Sequence, residues 1–227
     1  MDLKRILNDY GIDLENEKVE RIERFLEFLK SSKINLTSIE PEEMPHKIVA
    51  DTLVPLLDFP IDDDFIDVGT GGGIPGVVIS IAHDVGGVLL DSTKKKIDAV
   101  RKFVESEDLP LELVWKRAEE LAHEKGYRES FLYVVSRALA ETRIALELTS
   151  PFATVGGYVL LYKGKGWKEE LDRAQKAMEI LGLDLGDVLE YELRTGEKRS
   201  LLIFEKIYKT PRKYPRRAGI PSKRPLG

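Results

Sequence analysis

The sequence predicts an α/β fold in which helices cover both faces of a mostly parallel sheet. Short apolar runs alternate with amphipathic segments from about residue 65 onward, as they do in repeated strand–helix units. The 227 residues suit one such domain with an extension, and a hydrophobic content of 42% is enough to build a core. The absence of cysteine from the sequence excludes disulfides, thiolate metal ligands and cysteine nucleophiles.

The spacing of apolar residues places the individual elements. Apolar residues recur at helical spacing between Leu14 and Leu29, which predicts a first helix. Pro41 begins a second predicted helix that continues to about Leu57. Arg194 to Glu197 joins the last two strands as an antiparallel hairpin. The predicted strands are 65–68, 88–91, 111–115, 131–135, 158–162, 188–193 and 201–207. We therefore predict an N-terminal helical extension (1–60), a sheet domain (61–208) and a basic C-terminal tail (209–227).

A glycine-rich loop follows the first predicted strand. It reads DVGTGGGIPG from Asp67 to Gly76, and Gly71 to Gly76 matches the pattern G-x-G-x-x-G. Glycines let the backbone turn tightly and approach a ligand closely. Asp91 ends the next strand, where a carboxylate can accept hydrogen bonds from a ribose diol. The pattern predicts a cofactor site, and a plain strand–helix turn without a ligand is the alternative.

Asp67 separates two classes of cofactor that share this arrangement. A carboxylate at the strand end would repel the pyrophosphate of NAD. The same carboxylate can bind the amino group of S-adenosylmethionine or orient the loop. We therefore predict an S-adenosylmethionine site with Asp67, Gly69, Gly71 and Asp91, and the alternative is an NAD-dependent oxidoreductase on the same sheet.

Charge is distributed unevenly along the chain. The net charge is −5, yet the residues from Lys206 to Leu226 include eight Lys or Arg and no Asp or Glu. Prolines favour an extended backbone, cations suit phosphates, and tyrosines stack on unpaired bases. A solvated end is the alternative interpretation. The predicted RNA contacts in this tail are Arg212, Lys213, Tyr214, Arg216 and Arg217.

Taken together and in order, these motifs resemble the bacterial ribosomal RNA small subunit methyltransferase G family, historically called glucose-inhibited division protein B. The family usually has Leu after the Asp-Ser pair, where this chain has Thr93. The matching stretches are 35–38 (NLTS), 67–76 (DVGTGGGIPG), 90–92 (LDS), 94–96 (KKK), 117–120 (RAEE), 135–138 (VSRA), 162–164 (YKG) and 210–226 (TPRKYPRRAGIPSKRPL).

The resemblance implies a Rossmann-like methyltransferase sheet and transfer of a methyl group to ring nitrogen 7 of a guanine in 16S rRNA. We predict further RNA contacts at Asn35 and Thr37. From the residues alone, a surface carboxylate that opens a helix is the favoured interpretation of Glu119, and Arg137 could form a salt bridge or clamp an anion. The cofactor contacts that the resemblance implies are Gly69, Ile74, Ala118, Glu119 and Arg137.

The sequence predicts a positioning mechanism with no general base. N7 of guanine carries a free lone pair and no proton, so orientation and electrostatics suffice. The histidines at 46, 83 and 123 lack metal-ligand spacing, and no metal is predicted. We expect a cytoplasmic monomer without membrane contact, whose partner is 16S rRNA or the small ribosomal subunit. A ribosome-binding factor without catalytic activity is a third interpretation.

Overall fold

Seven strands form a single sheet in this computed structural model, which describes residues 2–227. The strands are β1 (Phe65–Val68), β2 (Gly87–Asp91), β3 (Leu111–Trp115), β4 (Phe131–Arg137), β5 (Ala153–Lys163), β6 (Leu183–Glu192) and β7 (Lys198–Lys206). Their order across the sheet is β3-β2-β1-β4-β5-β7-β6. Strands β1 to β5 run parallel, and β7 lies antiparallel between β5 and β6. The predicted fold class is confirmed.

The helices alternate with the strands, as the sequence pattern predicts. They are α1 (Leu3–Asp9), α2 (Asn16–Ser31), α3 (Asp51–Leu53), α4 (Gly76–His83), α5 (Lys94–Ser106), α6 (Ala118–Leu121), α7 (Thr142–Thr149), α8 (Trp167–Leu181) and α9 (Ile220–Lys223). None of the helices in residues 2–227 is both long and apolar enough to cross a membrane.

The single helix predicted from Pro41 to Leu57 is wrong in detail. The chain forms a turn, then a π-helical segment (Pro45–Ala50), then α3 and a 3-10 turn (Pro55–Leu57). Proline has no N–H to donate to the preceding turn, so Pro45 and Pro55 each restart the hydrogen-bond pattern. The apolar side chains of the segment, among them Ile48 and Leu53, are buried in the same core as Phe25 of α2.

Two apolar cores flank the sheet. On one face, Phe25 of α2 and Val100 of α5 pack with Leu89 of β2. On the other face, Leu146 of α7 packs with Val134 of β4. The N-terminal helices thus share a core with the sheet, and the proposed division of the chain at residue 60 stays a prediction.

Residues 209–227, here called the C-terminal strap, fold back against α7 and α8 instead of extending as predicted. Tyr214 and Leu226 are only 7% and 8% exposed and belong to the second core. The Arg216 guanidinium donates to both carboxylate oxygens of the fully buried Glu147, at 2.8 and 2.6 Å. Arg128 donates to the carbonyls of Thr210 and Tyr214. These long-range partners outweigh the extended preference of the prolines, and the prolines serve in turns.

Lys206 anchors the beginning of the strap. Its ammonium is buried and donates to the carbonyl oxygens of Ser150 and Leu181 and to the hydroxyl of Thr210. Burial lowers the pKa of Lys206 to about 7. Three oxygen acceptors nevertheless match the three N–H bonds of the charged form. A cation that the sequence groups with the tail is therefore part of the core.

Candidate functional site

The predicted cofactor residues gather at one edge of the sheet. The carboxyl ends of parallel strands meet at the same edge, which is the usual ligand edge of such sheets. The glycine loop leaves β1, Asp91 ends β2, and Ala118 and Glu119 follow β3. Arg137 ends β4 on the opposite side of the loop, because β4 is the other neighbour of β1.

Gly71 and Gly72 have different roles in the loop. A Cβ atom at Gly72 would lie 2.6 Å from the carbonyl oxygen of Leu36, so close packing of the chain requires glycine there. Gly71 has φ +58°, and a Cβ there would meet nothing nearer than the Lys96 ammonium at 3.8 Å. Gly71 therefore faces open space, where a ligand can approach the backbone.

Asp91 links the end of β2 to the loop. One carboxylate oxygen accepts from the N–H of Gly71 at 2.9 Å, and the other accepts from the N–H of Thr93 at 2.7 Å. The side chain is half-buried. A carboxylate has about four lone-pair positions, so two remain for a diol beside the loop.

Asp67 is fully buried beneath the same loop. Its Oδ2 accepts from the N–H of Gly76 at 3.0 Å, while Oδ1 has no hydrogen bond of regular geometry. Burial raises the pKa of Asp67 to about 7, an effect that Thr70 and the Gly76 N–H only partly offset. Of the two roles predicted for this residue, the contacts favour loop orientation, because the carboxylate has no exposed surface.

Ala118 and Glu119 open α6 and are half-buried. Glu119 Oε1 accepts from the N–H of Gly219 at 3.1 Å. The C-terminal strap therefore touches a residue that the resemblance implies as a cofactor contact.

Arg137 lies in a network of buried charges. Its Nη1 is 3.2 Å from Oδ2 of Asp51, which is 5% exposed. The Tyr191 hydroxyl donates to Oδ1 of Asp51 at 2.9 Å, and Nε of Arg199 lies 3.5 Å from the same oxygen. Burial raises the pKa of Asp51, and the two arginines oppose that shift. The sequence left two roles open for Arg137, a salt bridge and an anion clamp. The structure shows the salt bridge, and the remaining N–H bonds of the guanidinium can still bind an anion.

A cleft of about 510 Å³ opens beside this network. Four cations and three carboxylates line it, and the apolar part of its wall includes Leu139 and Leu161. The cations are Lys47, Arg137, Lys163 and Arg199, and the carboxylates are Asp51, Glu141 and Glu170. The cleft adjoins the glycine loop, since a Cβ at Gly69 would meet the Leu139 side chain.

Comparison with known proteins identifies the family of this chain. The model of the family "rRNA small subunit methyltransferase G" matches residues 18–200. The chain belongs to this family. The ribosomal RNA small subunit methyltransferase G of Fervidobacterium nodosum is 42% identical over 212 residues, which cover 92% of this chain and 99% of that protein. The protein of the same name from Pseudothermotoga lettingae is 39% identical over 223 residues, 97% of each chain.

The methyltransferase fold recurs among solved structures. A methyltransferase from Pyrococcus furiosus superposes with a TM-score of 0.59 at 16% identity, covering 85% of this chain and 100% of that one. At this identity the likeness concerns the fold alone. The family membership confirms the predictions of a methyltransferase and of S-adenosylmethionine as its cofactor. The oxidoreductase alternative finds no support in these comparisons.

The predicted RNA contacts divide into two groups. Tyr214 and Arg216 are engaged in the core and in the pair with Glu147, so they do not form the open stacking and phosphate surface that the sequence predicts. Asn35 is exposed and Thr37 half-buried, in a segment whose Leu36 carbonyl lies against the glycine loop. The exposed cations of the strap include Arg212, Lys213 and Arg217.

Three charged residues that line the cleft were not identified from the sequence, and they are Lys47, Asp51 and Arg199. Asp51 pairs with Arg137 from a distant part of the chain, and no local motif marks Asp51. The one available signal was a lone carboxylate in the apolar run from Ile48 to Leu57. Within the described chain, no group of three His, Asp or Glu side chains is arranged to hold a metal ion.

Proposed function

We propose that this chain transfers the methyl group of S-adenosylmethionine to N7 of a guanine in 16S rRNA. The observation that carries the proposal is the juxtaposition at one sheet edge of a glycine loop, held by Asp91, and a cleft lined by four cations. The first suits an adenosyl cofactor, and the second suits a nucleotide with its phosphate.

The cofactor contacts that we propose are Gly69, Gly71, Ile74, Asp91, Ala118, Glu119 and Arg137, with Asp67 in a supporting role. The residues fit the cofactor at two points. The backbone at Gly71 is open to an approaching ligand, and Asp91 keeps lone pairs for the ribose hydroxyls. Asp67 acts indirectly, by fixing the N–H of Gly76 at the start of α4.

When bound, S-adenosylmethionine supplies an electrophilic methyl group that N7 accepts with its own lone pair, so the positive charge passes from sulfur to the guanine ring and no proton leaves. The protein therefore needs no general base. Its residues hold the base in line with the cofactor and limit access of water to the cleft.

We propose that the RNA contacts are Asn35, Thr37, Arg212, Lys213 and Arg217, and that the partner is 16S rRNA or the small ribosomal subunit. The exposed cations of the strap support phosphate contacts, and the exposed Asn35, next to the Leu36 carbonyl that lies against the glycine loop, supports a contact near the target base. We also propose that the chain acts as a cytoplasmic monomer.

The test is analysis of the product. Small subunits or 16S rRNA lacking the modification are incubated with the protein and S-adenosylmethionine labelled in the methyl group, and the RNA is digested to nucleosides. We expect the label in 7-methylguanosine. Label on an amino group, a carbon or a ribose would reject the proposed chemistry. Calorimetry with adenosylhomocysteine and with NAD separately tests the cofactor, and only the former is expected to bind.

A further inference from the structure

Lys163 differs from the other three cations of the cleft in its partners. Lys47 pairs with both Glu43 and Glu197, at 2.6 and 2.7 Å. Arg137 and Arg199 share the carboxylate of Asp51 on the other side of the cleft. Each of these three cations is thus held by a carboxylate from the N-terminal segment or the β6–β7 hairpin. Lys163 is held on the wall that α7 and α8 form.

Lys163 ends β5, one residue past the register pair of Tyr162 with Arg137. Its ammonium donates to the carbonyl oxygen of Ala140 and to Oε2 of Glu170, each at 2.8 Å. An ammonium has three N–H bonds, and these two contacts within residues 2–227 use two of them. The side chain is 11% exposed, so the remaining N–H meets the cleft and little open solvent.

Glu170 fixes the position of this ammonium. The same oxygen, Oε2, also accepts from the backbone N–H and the hydroxyl of Thr142, each at 2.9 Å. Burial alone would raise the pKa of Glu170, but the hydrogen bonds from Lys163 and Thr142 outweigh it and the pKa is lowered. The carboxylate therefore stays ionised and ties Lys163 to the first turn of α7.

Recognition of N7 cannot by itself distinguish guanine from adenine, because both purines present N7 as an acceptor. The neighbouring ring position does distinguish them. Guanine carries the acceptor O6 there, and adenine carries an amino donor. A fixed donor beside the reacting N7 would bind guanine and oppose adenine.

We infer that Lys163 donates its remaining N–H to O6 of the target guanine, which selects guanine and brings N7 toward the cofactor. This inference rests on the proposed methylation of N7 and names the residue that reads the base. Glu170 acts as a positioning residue, since it contacts Lys163 and not the base.

The test varies the target base and the lysine together. We would prepare 16S rRNA by ligation with guanine, inosine or 2,6-diaminopurine at the methylation site, and use it free and in reconstituted small subunits. 2,6-Diaminopurine has an amino group in place of O6 and an acceptor in place of the N1–H of guanine, whereas inosine keeps O6 and N1–H and lacks only the 2-amino group. For the unmodified protein we expect kcat/KM to be about tenfold or more lower on diaminopurine than on guanine, because polar groups are left unpaired. Inosine is expected to react nearly as fast as guanine.

Lys163→Met should lower kcat/KM on guanine and reduce the guanine-to-diaminopurine ratio to within about twofold. Lys165→Met is the matched control, since Lys165 is an exposed lysine of the same loop, and its ratio should equal that of the unmodified protein. Glu170→Gln should lower the ratio partly, because Lys163 loses its charged partner. If Lys163→Met does not bind adenosylhomocysteine or does not unfold cooperatively, Glu170→Gln provides the test of the ratio in its place.

The outcomes separate the inference from the proposed function. A ratio that stays unchanged in Lys163→Met and in Glu170→Gln would overturn the inference. If the rate fell equally on all three bases and RNA binding became less dependent on salt, Lys163 would be a phosphate contact instead. Methylation of the unmodified RNA at an atom other than N7 would overturn both the inference and the proposed function.

Discussion

The two halves of the carboxyl edge of the sheet present different groups to a ligand. Around β1, β2 and β3, the cofactor half has the open backbone of the glycine loop and the carboxylates of Asp91 and Glu119. Around β4 and β5, the RNA half has a cleft with four cations and three carboxylates, and each cation is paired with a carboxylate. The loop and its carboxylates suit a ribose diol, and the cations of the cleft suit phosphates. The comparison teaches that a single edge can position two ligands on separate groups of residues, and that each half can be altered alone.

The largest expected effect comes from blocking the cofactor half. Gly71→Val should abolish adenosylhomocysteine binding, measured by calorimetry, because the new side chain fills the open space beside the loop and strains a backbone at φ +58°. RNA binding should persist through the cations of the other half. Gly126→Val is the matched control, since Gly126 also has a positive φ with open space around it. Equal loss in both variants would mean that the effect is on folding.

A weaker loss is expected from Asp91→Ala. Removing a charged acceptor costs about 1.5–3 kcal/mol, which corresponds to a roughly tenfold to 150-fold lower affinity for adenosylhomocysteine. The control is Asp98→Ala, which removes an exposed carboxylate from α5. Unchanged affinity in a folded Asp91→Ala protein would contradict the role of this residue in the cofactor half.

The RNA half is tested by the exposed cations of the strap. Replacing Arg212, Lys213 and Arg217 with Gln should weaken rRNA binding several-fold and reduce the slope of log affinity against log salt by about 2, because fewer counterions are released. Adenosylhomocysteine affinity should not change. An unaltered salt slope, measured by filter binding between low and physiological salt, would show that these cations are only solvated.

A further test concerns Asp67 and the dependence of stability on pH. Its pKa is raised to about 7 in the folded protein, so its contribution to the free energy of unfolding is present at low pH and is lost as pH rises through about 7. The amide introduced by Asp67→Asn does not titrate, and its oxygen can still accept from the N–H of Gly76. In urea unfolding between pH 4 and 8, the stability of the unmodified protein should therefore fall relative to the Asp67→Asn variant as pH rises. Parallel curves would mean that the pKa of this carboxyl is not raised.

The C-terminal strap changes what is expected of a protein truncated after Thr210. A free tail could be removed after Thr210 without loss of cofactor binding, which is what an extended segment predicts. The strap instead contributes Tyr214 and Leu226 to the core and the Gly219 N–H to Glu119. We expect truncation to lower the melting temperature and weaken adenosylhomocysteine binding. A truncated protein with unchanged melting temperature and affinity would mean that the segment is a free tail with no structural role.

Features that depend on neighbouring residues could be predicted from the sequence, and those that depend on distant pairs could not. The glycine loop and Asp91 were found because turn and ligand chemistry lie within about 25 residues of one another. The cleft was missed because Asp51 and Arg137 meet only when the sheet is assembled. The strap was misjudged for the same reason. Its composition suits solvent, and nothing local in the sequence indicates that Glu147 and Arg128 bind it.

The ion pair of Arg216 with Glu147 also restricts which substitutions this sequence can accept during evolution. Losing the Arg216 guanidinium alone would leave a fully buried carboxylate with only the backbone N–H of residue 216 as a donor, at a cost of about 3–5 kcal/mol, which is a large part of a domain's stability. Replacing both residues with apolar ones of similar size would cost little. Descendants of this chain are therefore expected to keep the pair or to exchange both members together, so the two positions should covary although they lie 69 residues apart in the chain.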